Sequence, residues 1–144
     1  MKVRLMLANS AEVRENLLFA MGIGWTMIGP TPSSFAIAAL IEVDWDETNR
    51  PLRLAFEIFD VDGQPFNVAT PTGDRPFQLG AQLSIGRPAD APPGTKFLAP
   101  VAINIQPVQF QPGRQYFLRA SIDGATMDEA HFKVRLEPIV PQRR

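Results

Sequence analysis

Apolar and polar residues alternate with a period of two along much of this chain, most legibly between Phe110 and Leu136. Tyr116, Leu118, Ala120 and Ile122 alternate with Phe117, Arg119 and Ser121, so one face is apolar and the other mostly polar. That is the pattern of a half-buried antiparallel strand. Phe132, Val134 and Leu136 then alternate with His131, Lys133 and Arg135, which predicts a loop followed by a returning strand with a solvated outer face. Similar alternation predicts strands over Leu52–Ile58, from Phe66 to Val68, over Phe77–Ile85 and over Val101–Ile105, and the apolar residues ending at Ala8 read as a first strand.

The breaks between these runs carry their own signals. Asn9 to Asn16, with Glu12, Arg14 and Glu15, reads as a polar link. Leu17 to Trp25 (LLFAMGIGW) continues to Ile28 as one strand, in which Gly22 and Gly24 mark a bulge or a close backbone approach. The prolines of Gly29–Ser34 end it. Phe35–Val43 is a near-continuous apolar run, the pattern of a strand covered on both faces or central in the core. Trp45–Pro51 is a loop, Asp62-Gly63 predicts a hairpin, and Thr70–Pro76 is a proline-bearing turn. Pro88, Pro92, Pro93 and Pro100 make Gly86–Pro100 an extended surface crossover rather than a helix or interior strand.

The expected fold is therefore all-β: a two-sheet antiparallel β-sandwich, immunoglobulin-like, with about eight or nine strands. The 144 residues suffice for one core, so residues 1–138 are expected to form a single β-sandwich domain followed by a short tail, 139–144. The 14 basic and 15 acidic residues nearly cancel, which removes the field that would attract a polyanion or an anionic membrane. With no cysteine there is no disulfide framework, thiolate metal site or cysteine nucleophile. The apolar stretch Leu5–Ala8 is too short for a secretory signal, and Leu17–Trp25 is far short of a membrane span, so a soluble cytoplasmic protein is expected.

Two resemblances add to this reading. Phe110, Pro112, Gly113 and Tyr116 resemble the loop-to-strand corner of fibronectin type III and related immunoglobulin-like domains, in which the tyrosine hydroxyl bonds back to nearby backbone. By that likeness Tyr116 is structural. GIGW (Gly22–Trp25), VDWDETNRP (Val43–Pro51), FEIFDVDGQP (Phe56–Pro65), GRP (Gly86–Pro88), PPG (Pro92–Gly94) and PGRQYFLRASIDG (Pro112–Gly124) together resemble a small bacterial β-sandwich family known as a domain of unknown function. That resemblance implies a fold and no activity, cofactor or catalytic residue.

Candidate chemistry is sparse. His131 is the one histidine and lies at an outward position of the last strand, so no catalytic residue and no cofactor site is assigned. Asp44, Asp46 and Glu47, then Asp60 and Asp62, and then Asp123, Asp128 and Glu129 fall in loops that could converge at a sheet end; Asp44, Asp46, Asp60, Asp62 and Asp123 are the weak calcium candidates. Turn-capping aspartates are the commoner explanation. DVDG lacks the downstream glutamate of a calcium loop. Trp45, in a polar loop, is a candidate partner or carbohydrate contact. Phe59 and Phe117 point away from their apolar neighbours, which predicts either an interface on that sheet face or burial under the proline-rich crossover. The reading is a non-catalytic binding or assembly module whose partner is a protein, possibly a second copy, with no nucleic acid and no membrane. The alternative is a ligand-binding sandwich using calcium or, at Trp45, a carbohydrate.

Overall fold

The computed structural model describes residues 1–137. The expected tail, 139–144, lies outside the described residues. The strands are β1 (Lys2–Ala8), β2 (Ser10–Arg14), β3 (Leu17–Met21), β4 (Met27–Ile28), β5 (Ser33–Val43), β6 (Pro51–Asp60), β7 (Asn67–Thr70), β8 (Gly73–Pro76), β9 (Gln78–Ser84), β10 (Phe97–Val108), β11 (Gln115–Ile122) and β12 (Ala125–Val134), with one 3-10 turn at Trp45–Glu47. A three-stranded sheet, β1-β5-β10, packs against a five-stranded sheet, β4-β12-β11-β6-β9. Two hairpins, β2-β3 and β7-β8, stand apart from these sheets. The fold is all-β and sandwich-like, as the alternation predicted.

The alternation places the core. Val3, Leu5 and Leu7 of β1 and Phe35, Ile37, Ala39, Ile41 and Val43 of β5 face Leu52, Leu54, Phe56 and Ile58 of β6, together with Tyr116, Leu118, Ala120 and Ile122 of β11. Each large apolar side chain removed from water here contributes about 1.5–3 kcal/mol. Trp25 closes one end, edge-on to Phe35 at 6.0 Å and to Phe132 at 5.6 Å between ring centroids.

The apolar run Phe35–Val43 is covered on both faces. Its outward Ala36 and Ala38 lie under the β2-β3 hairpin, packed with Ala11, Leu18 and Ala20. Small residues on both sides let the hairpin approach closely.

Several local expectations are corrected. Among the described residues the strands number twelve rather than eight or nine. Asn9–Asn16 is not a link but contains β2, paired with β3 through a turn in which Glu15 and Asn16 both have positive φ, 49° and 60°. Two adjacent left-handed residues match the twist of a two-residue hairpin, but Glu-Asn is not the Asn-Gly signature that would announce it. The predicted strand from Leu17 to Ile28 breaks after Met21, because Gly22 and Gly24 turn the chain with φ of 67° and 86°. Asp62-Gly63 does make a tight turn, yet the pairing across it is the isolated Phe59–Pro65 bridge, and β7, where a strand was expected, pairs instead with β8, which lies inside the segment predicted as a turn. Strand β10 begins at Phe97 and runs through Pro100. It tolerates proline because it is the edge of its sheet. The loop expected before Phe132 is a two-residue turn at Asp123 and Gly124, leaving Leu136 outside the strand. One pairing, β4 with β12, is parallel rather than antiparallel.

Candidate functional site

Because Tyr116, Leu118 and Ala120 point into the core, Phe117 and Arg119 must stand on the outer face of the five-stranded sheet. The register sets Phe117 between Phe59 and His131, and Arg119 between Glu57 and Glu129. The rings form a continuous row. Phe59 stacks on Phe117 with centroids 5.4 Å apart at 25°, and Phe117 on His131 at 5.2 Å and 29°. The Arg119 guanidinium carbon lies 4.7 Å from the Phe59 ring centre and 5.3 Å from that of Phe117. The Glu129 carboxylate accepts Arg119 Nε–H at 3.3 Å and lies 3.3 Å from His131 Nε2. A half-exposed cation over an aromatic face is worth about 0.5–1 kcal/mol, so the row holds its own geometry while keeping one side open.

A cleft of about 260 Å³ opens at the rim of this face. Its floor is the cross-strand pairs Phe117/His131 and Gln115/Lys133. One wall is Thr26, held where Lys133 N–H donates to its carbonyl at 2.9 Å; the other is Val61, whose N–H donates to the Gln115 carbonyl at 3.2 Å. The backbone flanks, Tyr116 and Phe132, complete the lining.

The proline-rich crossover does not cover these rings. It packs at the start of β6, the end opposite Phe59: Trp45 Nε1 donates to the Ala91 carbonyl at 3.1 Å, and the Arg87 guanidinium sits 3.6 Å from the indole centre while donating to the Trp45 carbonyl at 2.9 Å. The one polar atom of Trp45 and a face of its ring are thus engaged from within the chain.

The acidic candidates do not all converge on one site. Asp44, Asp46 and Glu47 place carboxylate oxygens within 4.8 Å of one another. The Met1 ammonium lies 3.1 Å from Glu47 and 3.7 Å from Asp44. Its hydrogen bond to Glu47 holds that carboxyl below the usual glutamate range and raises the amino group above its ordinary value, against the opposing effect of desolvation on both. At the other end of β6, Asp60 Oδ1 accepts the N–H groups of Asp62 and Gln64 at 3.0 and 2.9 Å. Asp123 Oδ1 accepts Arg53 N–H at 3.0 Å. Asp60 caps its own turn, and Asp123 ties the β11–β12 turn to Arg53. Tyr116 is buried, and its hydroxyl accepts the Gln111 N–H at 3.1 Å.

Two polar residues that the alternation gave no reason to single out tie the layers together. Asp128 Oδ2 accepts the Leu5 N–H at 2.9 Å, joining β12 to the free edge of β1. Asn104 donates to the Ala11 carbonyl at 2.8 Å and accepts its N–H at 3.2 Å, so a side-chain amide on β10 anchors the β2-β3 hairpin. An asparagine at an outward strand position reads as solvent-facing, and an aspartate near a turn reads as a cap; only the third dimension separates these cases from their look-alikes.

No helix among the described residues is long and apolar enough to cross a membrane. No curated protein matches the chain. Among solved structures it is similar to an alkylpurine DNA glycosylase, AlkC of Pseudomonas fluorescens bound to DNA with an abasic-site analogue, at 14% identity and a TM-score of 0.44. That likeness covers 93% of this chain and only 30% of the other, and at this level it says nothing of catalysis or DNA binding here. A family model matches residues 4–135, and the chain therefore belongs to DUF6941, a family of unknown function.

Proposed function

We propose that this protein is a non-catalytic binding or assembly module of immunoglobulin-like type, and that its partner is a protein, a second copy of the chain being the first to test. The observation that carries the proposal is the open row Phe59–Phe117–His131, with Arg119 and Glu129 beside it, on the outer face of the five-stranded sheet. Aromatic side chains and arginine are enriched where interfaces bury their centre. Each phenylalanine has on the order of 50 Å² left to bury, worth about 1 kcal/mol, so the rings alone cannot hold a dimer and the surrounding charges must match. They carry both signs: Glu57, Arg119 and Glu129 in one row, Lys133 and Arg53 nearby on the same face. A two-fold copy can therefore set acids against bases.

The immunoglobulin-like reading is supported by strand order. Leaving aside the short strands, β1, β5, β6, β9, β10, β11 and β12 run first, second and fifth in one sheet and seventh, sixth, third and fourth in the other. This differs from the constant-domain order in that the fourth strand pairs with the third instead of the fifth. The non-catalytic reading is supported by His131, which stacks on Phe117 and pairs with Glu129, a role that needs no reacting partner. Calcium has less support, since the Met1 ammonium already sits on the Asp44 and Glu47 carboxylates. A carbohydrate at Trp45 has less support for the same kind of reason.

Light scattering during size exclusion, over a range of concentrations and with or without calcium, tests the reading. Expected is a dimer that Phe59→Ser or Phe117→Ser returns to monomer while the circular dichroism spectrum stays that of the folded chain. A monomer at every concentration would overturn self-assembly. A rise in melting temperature with millimolar calcium would revive the metal reading.

A further inference from the structure

We propose that the cleft at the rim of the five-stranded sheet is a binding site for a flat apolar group carrying a carboxylate. The cleft shares Phe117 and His131 with the face proposed above as the interface, so a ligand and a second copy compete for it: a chain that stays monomeric removes that reading and leaves this one standing. Its floor offers the edges of the Phe117 and His131 rings, whose faces stack on each other at 5.2 Å and, for Phe117, on Phe59 at 5.4 Å, so a planar aromatic group meets them edge to face. Val61, 65% exposed, has no packing role that the fold requires and stands as an apolar wall beside them. The charge is one-sided. Lys133 lines the cleft beside His131, and among the described residues no aspartate or glutamate does. Of the neighbouring carboxylates, Glu129 lies 3.3 Å from both Arg119 Nε and His131 Nε2, and Asp60 accepts the Asp62 and Gln64 N–H groups and lies 3.8 Å from Arg114. Gln115 and the Thr26 hydroxyl add hydrogen-bonding groups around the Lys133 end. A pocket with an aromatic floor and convergent polar groups at one end selects a ligand by body and tail together. Here the tail must be anionic.

Two sources share this chemistry: a free aromatic acid, or the C-terminal carboxylate of a peptide chain ending in an aromatic residue. The test is titration of the full chain with phenylpropionate, phenylpropanamide and phenethylamine at neutral pH, followed by amide proton–nitrogen NMR shifts. Shifts are expected at Thr26, Val61, Gln115, Phe117, His131 and Lys133, with the acid tighter than the amide by about two- to fivefold, the ratio of a partly exposed ion pair, and the amine weakest. Lys133→Gln should abolish the preference for the acid and leave amide binding unchanged. Lys96→Gln, a cation paired with Glu42 outside the cleft, should leave the preference intact. A parallel titration with N-acetyl-glycyl-phenylalanine and its C-terminal amide separates the sources: tighter binding of the peptide acid than of phenylpropionate assigns a chain terminus, and weaker binding assigns a small acid. Equal binding of acid, amide and amine, shifts elsewhere on the surface, or no shift at about 10 mM would overturn the proposal.

Discussion

Asp128 is expected to be the most costly single polar residue of this fold to remove, because it spans the two sheets. β1 is an edge strand, paired on one side with β5, so the Leu5 N–H on its other side has no strand to donate to. The Asp128 carboxylate takes that donor at 2.9 Å while its other oxygen accepts the Glu129 N–H at 2.9 Å. Asp128 reaches there because the register between β11 and β12 shifts after Ala120, where Asp128 pairs with Ala120 but Thr126 with Ser121, leaving Met127 as the extra residue of a bulge. A bulge bends its strand, here toward β1. In Asp128→Ala the Leu5 N–H, on a residue only 8% exposed, loses its acceptor, and an unsatisfied buried donor costs about 1–3 kcal/mol. At this chain length each kcal/mol lowers the melting temperature by roughly 3–4 °C, so a fall of about 3–12 °C is expected. Asp128→Asn keeps one carbonyl acceptor and should lose less than half as much. Thermal and urea unfolding followed by circular dichroism measure both. If Asp128→Ala shifted stability by less than about 0.5 kcal/mol, or if the asparagine variant were as damaged as the alanine one, the clasp would have no energetic role.

Three further outcomes are expected. Asn104→Ala removes both hydrogen bonds to Ala11 and should destabilise the β2-β3 hairpin by about 1–3 kcal/mol; hydrogen exchange should show faster exchange at Ala11 with the β6–β11 ladder unchanged. Gly22→Ala places a methyl 2.5 Å from the Asn9 amide nitrogen at a φ of 67° and should cost about 1–3 kcal/mol, part of which Asn9→Ala in the same chain restores in a urea titration. The Met1–Glu47 pair gives stability a pH window. Glu47, held below its ordinary 4.5, contributes stability above that value and loses it as the solution is acidified through its folded pKa. The Met1 amino group, raised above 8.0, contributes below that value and loses it as pH rises through its folded pKa. N-terminal acetylation should therefore lower the melting temperature most between these values and flatten the profile outside them. An equal offset at all pH values would argue against the pair.

The period-two alternation was enough to determine the all-β class, the inward faces of β6, β11 and β12, and the outward setting of Phe59 and Phe117, because side-chain direction in a strand follows from backbone geometry alone. It also marked Phe35–Val43 as doubly covered, since an unbroken apolar run cannot face water. What covers that strand was not legible: the β2-β3 hairpin forms on an unadvertised Glu-Asn turn, and its attachment rests on Ala36, Ala38 and Asn104, distant in sequence from Ala11. The same limit applied to function. Acidic residues that look equivalent along the chain fall at opposite ends of β6, where Asp60 caps its own turn and Asp123 ties the β11–β12 turn to Arg53, while Trp45 is taken up by Arg87 and Ala91. Strand register, not any local motif, brought Phe59, Phe117, His131 and Lys133 onto one open face. Register is set by the packing of whole sheets, with long-range partners that no short stretch of sequence contains.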